Sequence, residues 1–216
     1  LPNREIATMP VLNRIAFFQN RRDEVPNQEL ARDLVSRRDG EGIQEIAENL
    51  WNTEQNIQSD CMKVLYEIGY LEPGLIADYV GDFLELLKSK NNRMVWGSMI
   101  ALATVARIRA DEIFPHVEKI QQLMEKGTVI TKDNGVKILA VLAASNEAYH
   151  AAIFPYLLKQ LEVCRAQDMA RYTESVVIAV NATCKDAFVD VVQRRLINLE
   201  GSQAVRLRKL LRNLNV

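Results

Sequence analysis

Apolar residues recur along this chain at three- and four-residue intervals, segment after segment, and each segment ends on a short charged or glycine-bearing break. A first stripe, Val11, Leu12, Ile15, Ala16 and Phe18, predicts a helix between Pro10 and Asn20, and the mixed charges Arg21–Glu24 predict a loop after it. Leu30, Ala31, Leu34 and Val35 then form a stripe that Asp39-Gly40-Glu41-Gly42 stops, and Ile43, Ile46, Ala47, Leu50 and Trp51 form the next. This predicts a helical pair over about 26–38 and 42–52. A second pair is predicted over 53–89, with Ile57, Cys61, Val64, Leu65 and Ile68 on one helix and Leu75 to Leu87 on the other, separated by the turn Glu72-Pro73-Gly74. A third occupies 91–127, a fourth 135–145 and 146–164, a fifth 174–184 and 186–199, and a last helix spans about 202–214.

The pairs repeat. Met62, Met99, Val136 and Val176 open equivalent apolar runs, at offsets of 37, 37 and 40 residues, and the tripeptide Ile-Phe-Pro recurs at 113–115 and 153–155, placing Pro115 and Pro155 early in second helices. A two-helix unit repeating at this length predicts an all-α fold: an α-α superhelix (solenoid) of about five stacked helical hairpins plus terminal helices. One domain over 1–216 is expected, clearest over 53–199, with 200–216 as a C-terminal capping helix. In this register Ala103 and Ala143 are expected to be buried where successive first helices meet. Val176–Val180 and Lys137–Ala144 also read as buried strands, as in a βα unit. The aligned segments Met62–Ile68 and Met99–Ala106 are rich in Leu, Met and Ala, which favours helix. A solenoid helix wedged among neighbours is also apolar nearly all round.

Composition agrees with helices and narrows the chemistry. Six Pro and nine Gly are too few for a turn-dense all-β fold. With 27 basic against 28 acidic residues, the chain as a whole favours neither nucleic acid nor an acidic partner. Three cysteines, Cys61, Cys164 and Cys184, have no short pairing pattern and read as reduced thiols, so a cytoplasmic location is expected. The first ten residues lack a signal-peptide pattern and no apolar run is long enough to cross a bilayer, so no membrane insertion is expected.

At this point the chain resembles the HEAT-type repeat family, with armadillo arrays as near relatives. The likeness rests on Asn92-Arg93-Met94-Val95-Trp96 ahead of Met99-Ile100-Ala101-Leu102-Ala103, and on the Ile-Phe-Pro starts of second helices. HEAT repeats often carry Arg where Trp96 stands, facing an Asp ladder from the inter-helix turns. Asp111 and Asp186 lie in such turns, while Glu72 and Glu147 replace Asp in others. The resemblance implies that second helices line a partner-binding groove. The residues so placed are Asp78, Tyr79, Asp82, Glu85, His116, Glu118, Gln122, Glu125, Tyr156 and Lys159.

No catalytic, cofactor or metal site is expected. His116 and His150 have no ligand at metal spacing, no G-x-S-x-G occurs, and Gly40-x-Gly42 is a turn without the Lys-Ser/Thr of a phosphate loop. A basic cluster near the C-terminus, Arg194, Arg195, Arg206, Arg208, Lys209 and Arg212, reads either as a phosphate contact or as the polar outer face of the capping helix. The expected function is a non-enzymatic scaffold or adaptor for a protein or peptide. The alternatives are a nucleic-acid-binding protein, since some alkylpurine DNA glycosylases are HEAT-like, and a repeat-built lyase.

Overall fold

The computed structural model describes residues 10–214, and among them there is no strand. The helices are α1 (Val25–Arg37), α2 (Gly40–Glu48), α3 (Gln55–Leu71), α4 (Val80–Leu86) and α5 (Asn92–Val105), then α6 (Ala110–Ile113), α7 (Val117–Lys126), α8 (Val129–Ala143), α9 (Glu147–Val163), α10 (Ala166–Val176), α11 (Lys185–Leu196) and α12 (Gly201–Asn213). They fall into two compact units divided between Arg109 and Ala110.

In the N-terminal unit α3 lies between α1 and α5, and α4 packs against α5. Cys61, Val64, Leu65 and Ile68 of α3 and Met99, Ala101, Leu102 and Val105 of α5 are wholly buried. Two glycines let these helices approach closely. A Cβ on Gly97 would collide with Met62, and one on Gly69 would collide with Thr104 and Ile76. The stop after α1 is a left-handed residue, Arg38 (φ 48), whose N–H bonds back to Leu34 and Val35; Asp39 then caps α2 by accepting from the Gly42 N–H at 2.9 Å.

In the C-terminal unit α8 packs against α7, α9 and α10, and α12 against α10 and α11. Ile138, Leu139 and Leu142 of α8 meet a core built from Ile153, Leu157 and Leu161 of α9, Met169 and Val176 of α10, Phe188 and Val192 of α11, and Leu207 of α12, all fully buried.

The repeat is more regular than the sequence alignment implies. The first helices begin at Gln55, Asn92, Val129 and Ala166, a constant spacing of 37 residues. The position after Met62, Met99 and Val136 is therefore Thr173, not Val176. Like them it is buried, and its hydroxyl is satisfied by the Met169 carbonyl at 2.7 Å. The fifth first helix thus runs over 166–176 instead of 174–184, and the Val176–Val180 run ends it through a 3-10 turn at Val177–Ala179. A β-branched run resists helix extension, and the apolar stripe of α10 is sparse enough for its polar first half to pass for a loop.

The Ile-Phe-Pro recurrence misleads by the same three residues. Pro115 sits in a 3-10 turn at Phe114–His116, whereas Pro155 lies inside α9 and leaves the carbonyl of exposed Ala151 without its helical donor. Residues 11–14 form a 3-10 turn, with the Val11 and Leu12 N–H groups taken by the Glu45 carboxylate at 3.1 Å each. The α-helix expected over 10–20 does not form, because Ile15 is extended (φ -71, ψ 160) and the Ala16 and Phe17 N–H groups that a continuing helix would use go to the side chains of Asn27 and Asp60. Ala143 is buried as expected, but Ala103 is only half-buried.

The 37-residue register has a direct test. Replacing Thr173 with Val removes a hydroxyl that bonds only within its own helix and presents an apolar surface of the same shape to an apolar layer. Thermal unfolding of T173V should show stability unchanged within about 1 kcal/mol, or raised; a loss of several kcal/mol would place Thr173 in a polar network and break the alignment.

Candidate functional site

The N-terminal segment, read from sequence as a helix and a loop, turns out to form one wall of a groove. Asn27 of α1, 1 % exposed, accepts from the Ala16 N–H at 2.9 Å and donates to Asp60 of α3 at 2.9 Å. The other oxygen of Asp60 accepts from the Phe17 N–H at 2.7 Å. Two helices thus grip the backbone of residues 16 and 17. Ile15 and Ala16 are buried by this, while Phe17 and Phe18 remain 39 % and 47 % exposed, edge to face at 5.1 Å.

Facing this wall, α3 contributes Asn56, Ser59, Lys63 and Tyr66, and α5 contributes Arg93 and Trp96; together they enclose a groove of 820 Å³. Lys63 lies 2.7 Å from both Glu24 and Glu67 and 4.8 Å from the centre of the Tyr66 ring. Burial works against its charge, but the hydrogen bonds to Glu24 and Glu67 outweigh burial and hold the ammonium well above its ordinary value. Burial, partly countered by Lys63, pushes the Tyr66 phenol up to about 12. Trp96 stands tilted 6.3 Å from Tyr66 and is half-buried, so it packs on one face and reaches the groove with the other.

None of the ten second-helix residues expected at a groove lines this one. Asp78 is paired with Arg109, Asp82 accepts from Trp51 Nε1 at 3.0 Å, and Glu85 is paired with Lys88 at 2.6 Å. Tyr79 is half-buried, and burial raises its phenol. In the other unit Glu118, Gln122, Glu125 and Lys159 are exposed, and His116 is half-buried ahead of α7. The hydroxyl of Tyr156 is buried with no hydrogen-bond partner; burial first, and then the charge of Glu125, raise its phenol. In the N-terminal unit the charges among these residues, Asp78, Asp82 and Glu85, thus already have partners.

The structure also brings together a thiol and an imidazole that lie far apart in sequence. Cys184 Sγ is 3.6 Å from His150 Nε2, and His150 stacks on Phe154. The same Nε2 is 3.0 Å from the Ala179 carbonyl, which can only accept, so this nitrogen carries a proton and is not a base for the thiol. The Asn181 N–H donates to Cys184 Sγ at 3.2 Å and completes a closed turn ahead of α11. Among the described residues no group of three or more His, Cys, Asp or Glu could hold a metal ion.

Comparison with solved structures decides the fold. An engineered protein from the Northeast Structural Genomics Consortium superposes with a TM-score of 0.66 at 19 % identity, covering 96 % of this chain and 97 % of its own. A computationally designed armadillo repeat protein for modular peptide recognition superposes with a TM-score of 0.60 at 14 % identity, covering 95 % of this chain and 99 % of its own. The fold is an armadillo/HEAT-type helical repeat. No protein family and no curated protein matches the sequence.

At the C-terminal end of this armadillo-type fold, α12 buries Ala204, Leu207 and Leu211. Half of the expected basic cluster is consumed in holding helices together. Arg194 bridges Asp190 at 2.9 Å and Glu162 at 3.2 Å, Arg195 donates to the Glu162 and Cys164 carbonyls, and Arg206 clasps Glu174. Arg208, Lys209 and Arg212 are exposed on α12. A buried carboxylate, Asp168, is likewise satisfied, by Arg165 and Arg171 at 2.6 Å each, and Arg171 reaches Asp133 of α8 at 2.9 Å. These ion pairs tie elements of the unit to one another.

The clasp between α10 and α12 has a pH signature. Arg206 holds the Glu174 carboxyl below its ordinary value of 4.5, so the stabilisation is complete above about pH 4.5 and is lost as pH falls through the lowered folded value. Both side chains are about 40 % exposed, 42 % and 43 %, so screening limits the effect to roughly 0.2–1 kcal/mol. Melting temperatures from pH 7 down to pH 3 should fall more steeply for the native chain than for E174Q below pH 4.5; parallel curves would show that the clasp contributes nothing.

Proposed function

We propose that the protein is a non-catalytic peptide-binding scaffold and that the groove between the N-terminal segment and helices α3 and α5 is its site. One observation carries this reading. The wall of the groove is prebuilt, with the backbone of residues 16 and 17 gripped by Asn27 and Asp60, Phe17 and Phe18 left exposed on it, and the half-buried Trp96 facing them. Preordered aromatic surface lowers the entropy cost of ordering a site around an extended ligand, which is what a peptide site needs. The likeness in fold to a designed armadillo protein made for modular peptide recognition supports the same class of ligand.

Selection from a random twelve-residue peptide library, followed by fluorescence anisotropy of the winners, tests the proposal. Binders should lose at least about tenfold in affinity on Trp96→Ala and measurably on Phe18→Ala, whose side chain is half exposed and whose loss should leave the melting temperature in place. An empty selection, or binders indifferent to both substitutions, would refute the groove as a peptide site.

A further inference from the structure

The charges that line the groove are unequally used, and the remainder identifies a ligand class. On the acidic side, Asp23 is bound by Arg21 through two hydrogen bonds of 2.9 and 2.8 Å, Glu24 by Lys63 at 2.7 Å, and Asp60 by the Phe17 N–H and by Asn27. Each lining carboxylate therefore has an internal partner. On the basic side, Arg21 and Lys63 are consumed by these same pairs. Arg22 and Arg93 line the groove, are exposed, and form no ion pair among the described residues. Arg93 and Trp96 are three residues apart on α5 and so share a helix face. Phe17 and Phe18 supply apolar surface from the opposite wall.

We infer that the groove takes an extended acidic peptide, one in which Asp or Glu alternates with aromatic or large apolar residues. The inference rests on the peptide-site reading above and adds the chemistry of the partner. A guanidinium matches a carboxylate with two parallel hydrogen bonds, and Arg93 beside Trp96 offers such a fork next to a stacking surface. A basic peptide meets only carboxylates that already have partners, and it is repelled by the two remaining arginines. A nucleic-acid strand also offers anions and rings. However, it carries a charge at every residue, and along this groove three carboxylates would meet it. An alternating peptide sets its few charges against Arg22 and Arg93 and its apolar side chains against the aromatic residues.

The experiment uses four fluorescein-labelled probes with the full chain: nine-residue peptides of alternating Glu and Phe, of alternating Lys and Phe, and of alternating Glu and Ala, and a single-stranded oligonucleotide of comparable charge. The Glu–Phe probe should bind at least about tenfold tighter than the Lys–Phe and Glu–Ala probes, with affinity falling as salt rises. Arg93→Glu should weaken it at least about tenfold and narrow or reverse its advantage over Lys–Phe, and Arg22→Glu should act in the same direction. Both arginines are exposed, so these variants should fold and melt as the native chain does. Equal or tighter binding of Lys–Phe, indifference to both substitutions, or preference for the oligonucleotide overturns the inference. If Lys–Phe binds as well as Glu–Phe and depends on Trp96, the peptide site stands and only its charge assignment fails. If no peptide responds to Trp96→Ala, both readings fail.

Discussion

The close approach of neighbouring first helices is the constraint on which the rest of the N-terminal unit depends. α3 is packed against α1 on one side and α5 on the other, and Gly69 and Gly97 remove the side chains that would hold it off. Met62 occupies the space that a side chain at 97 would take, and Thr104 does the same at 69. A helix packed this way is apolar over most of its surface, as α5 is, whereas α3 keeps a polar face on its N-terminal half. The polar positions on these helices are informative. On α3 and α5 they include Asn56, Ser59, Asp60, Lys63 and Arg93, and these line the groove.

The same constraint explains how a short N-terminal segment becomes part of a site. Asp60 and Asn27 are polar groups at the edge of a packed layer, and each needs a partner. They find one another and the amides of Ala16 and Phe17. The backbone of the segment is thereby satisfied without a helix, which leaves Phe17 and Phe18 exposed opposite Trp96. Similar accounting governs the C-terminal unit, where Asp168, Glu162 and Glu174 each hold an arginine from the same or a nearby element. Much of the basic cluster there is structural for that reason. Of the two cations left without an ion pair in the groove, Arg22 lies in the balanced charge run 21–24 and Arg93 on α5.

Helix type, alternation of helices and a repeat near 37 residues were all legible in the periodicity of the apolar positions. The burial of Leu65, Leu102, Leu139 and Ala143 follows directly from it. The errors of register share one cause. Val176–Val180 and the second Ile-Phe-Pro imitate the repeat three residues out of register, and three residues is nearly one helical turn, so the apolar stripe looks the same after the slip. Ala103 failed as a burial marker for a related reason: one residue of rotation decides whether a small side chain meets a neighbouring helix or its rim.

The sequence by itself determined an all-α repeat and most of its core outside α10, because burial of an amphipathic or fully apolar helix is written in local spacing. It also determined which residue types were present for chemistry. Only the tertiary structure decided where partners could act. Asn27, Asp60 and Phe17 are separated by tens of residues, as are Glu24 and Lys63, and Tyr66 and Trp96; hydrogen bonds, ion pairs and ring contacts across such distances leave no period in a chain. Whether an arginine is consumed or unpaired depends on a carboxylate elsewhere in the chain, and that is settled by packing, not by spacing.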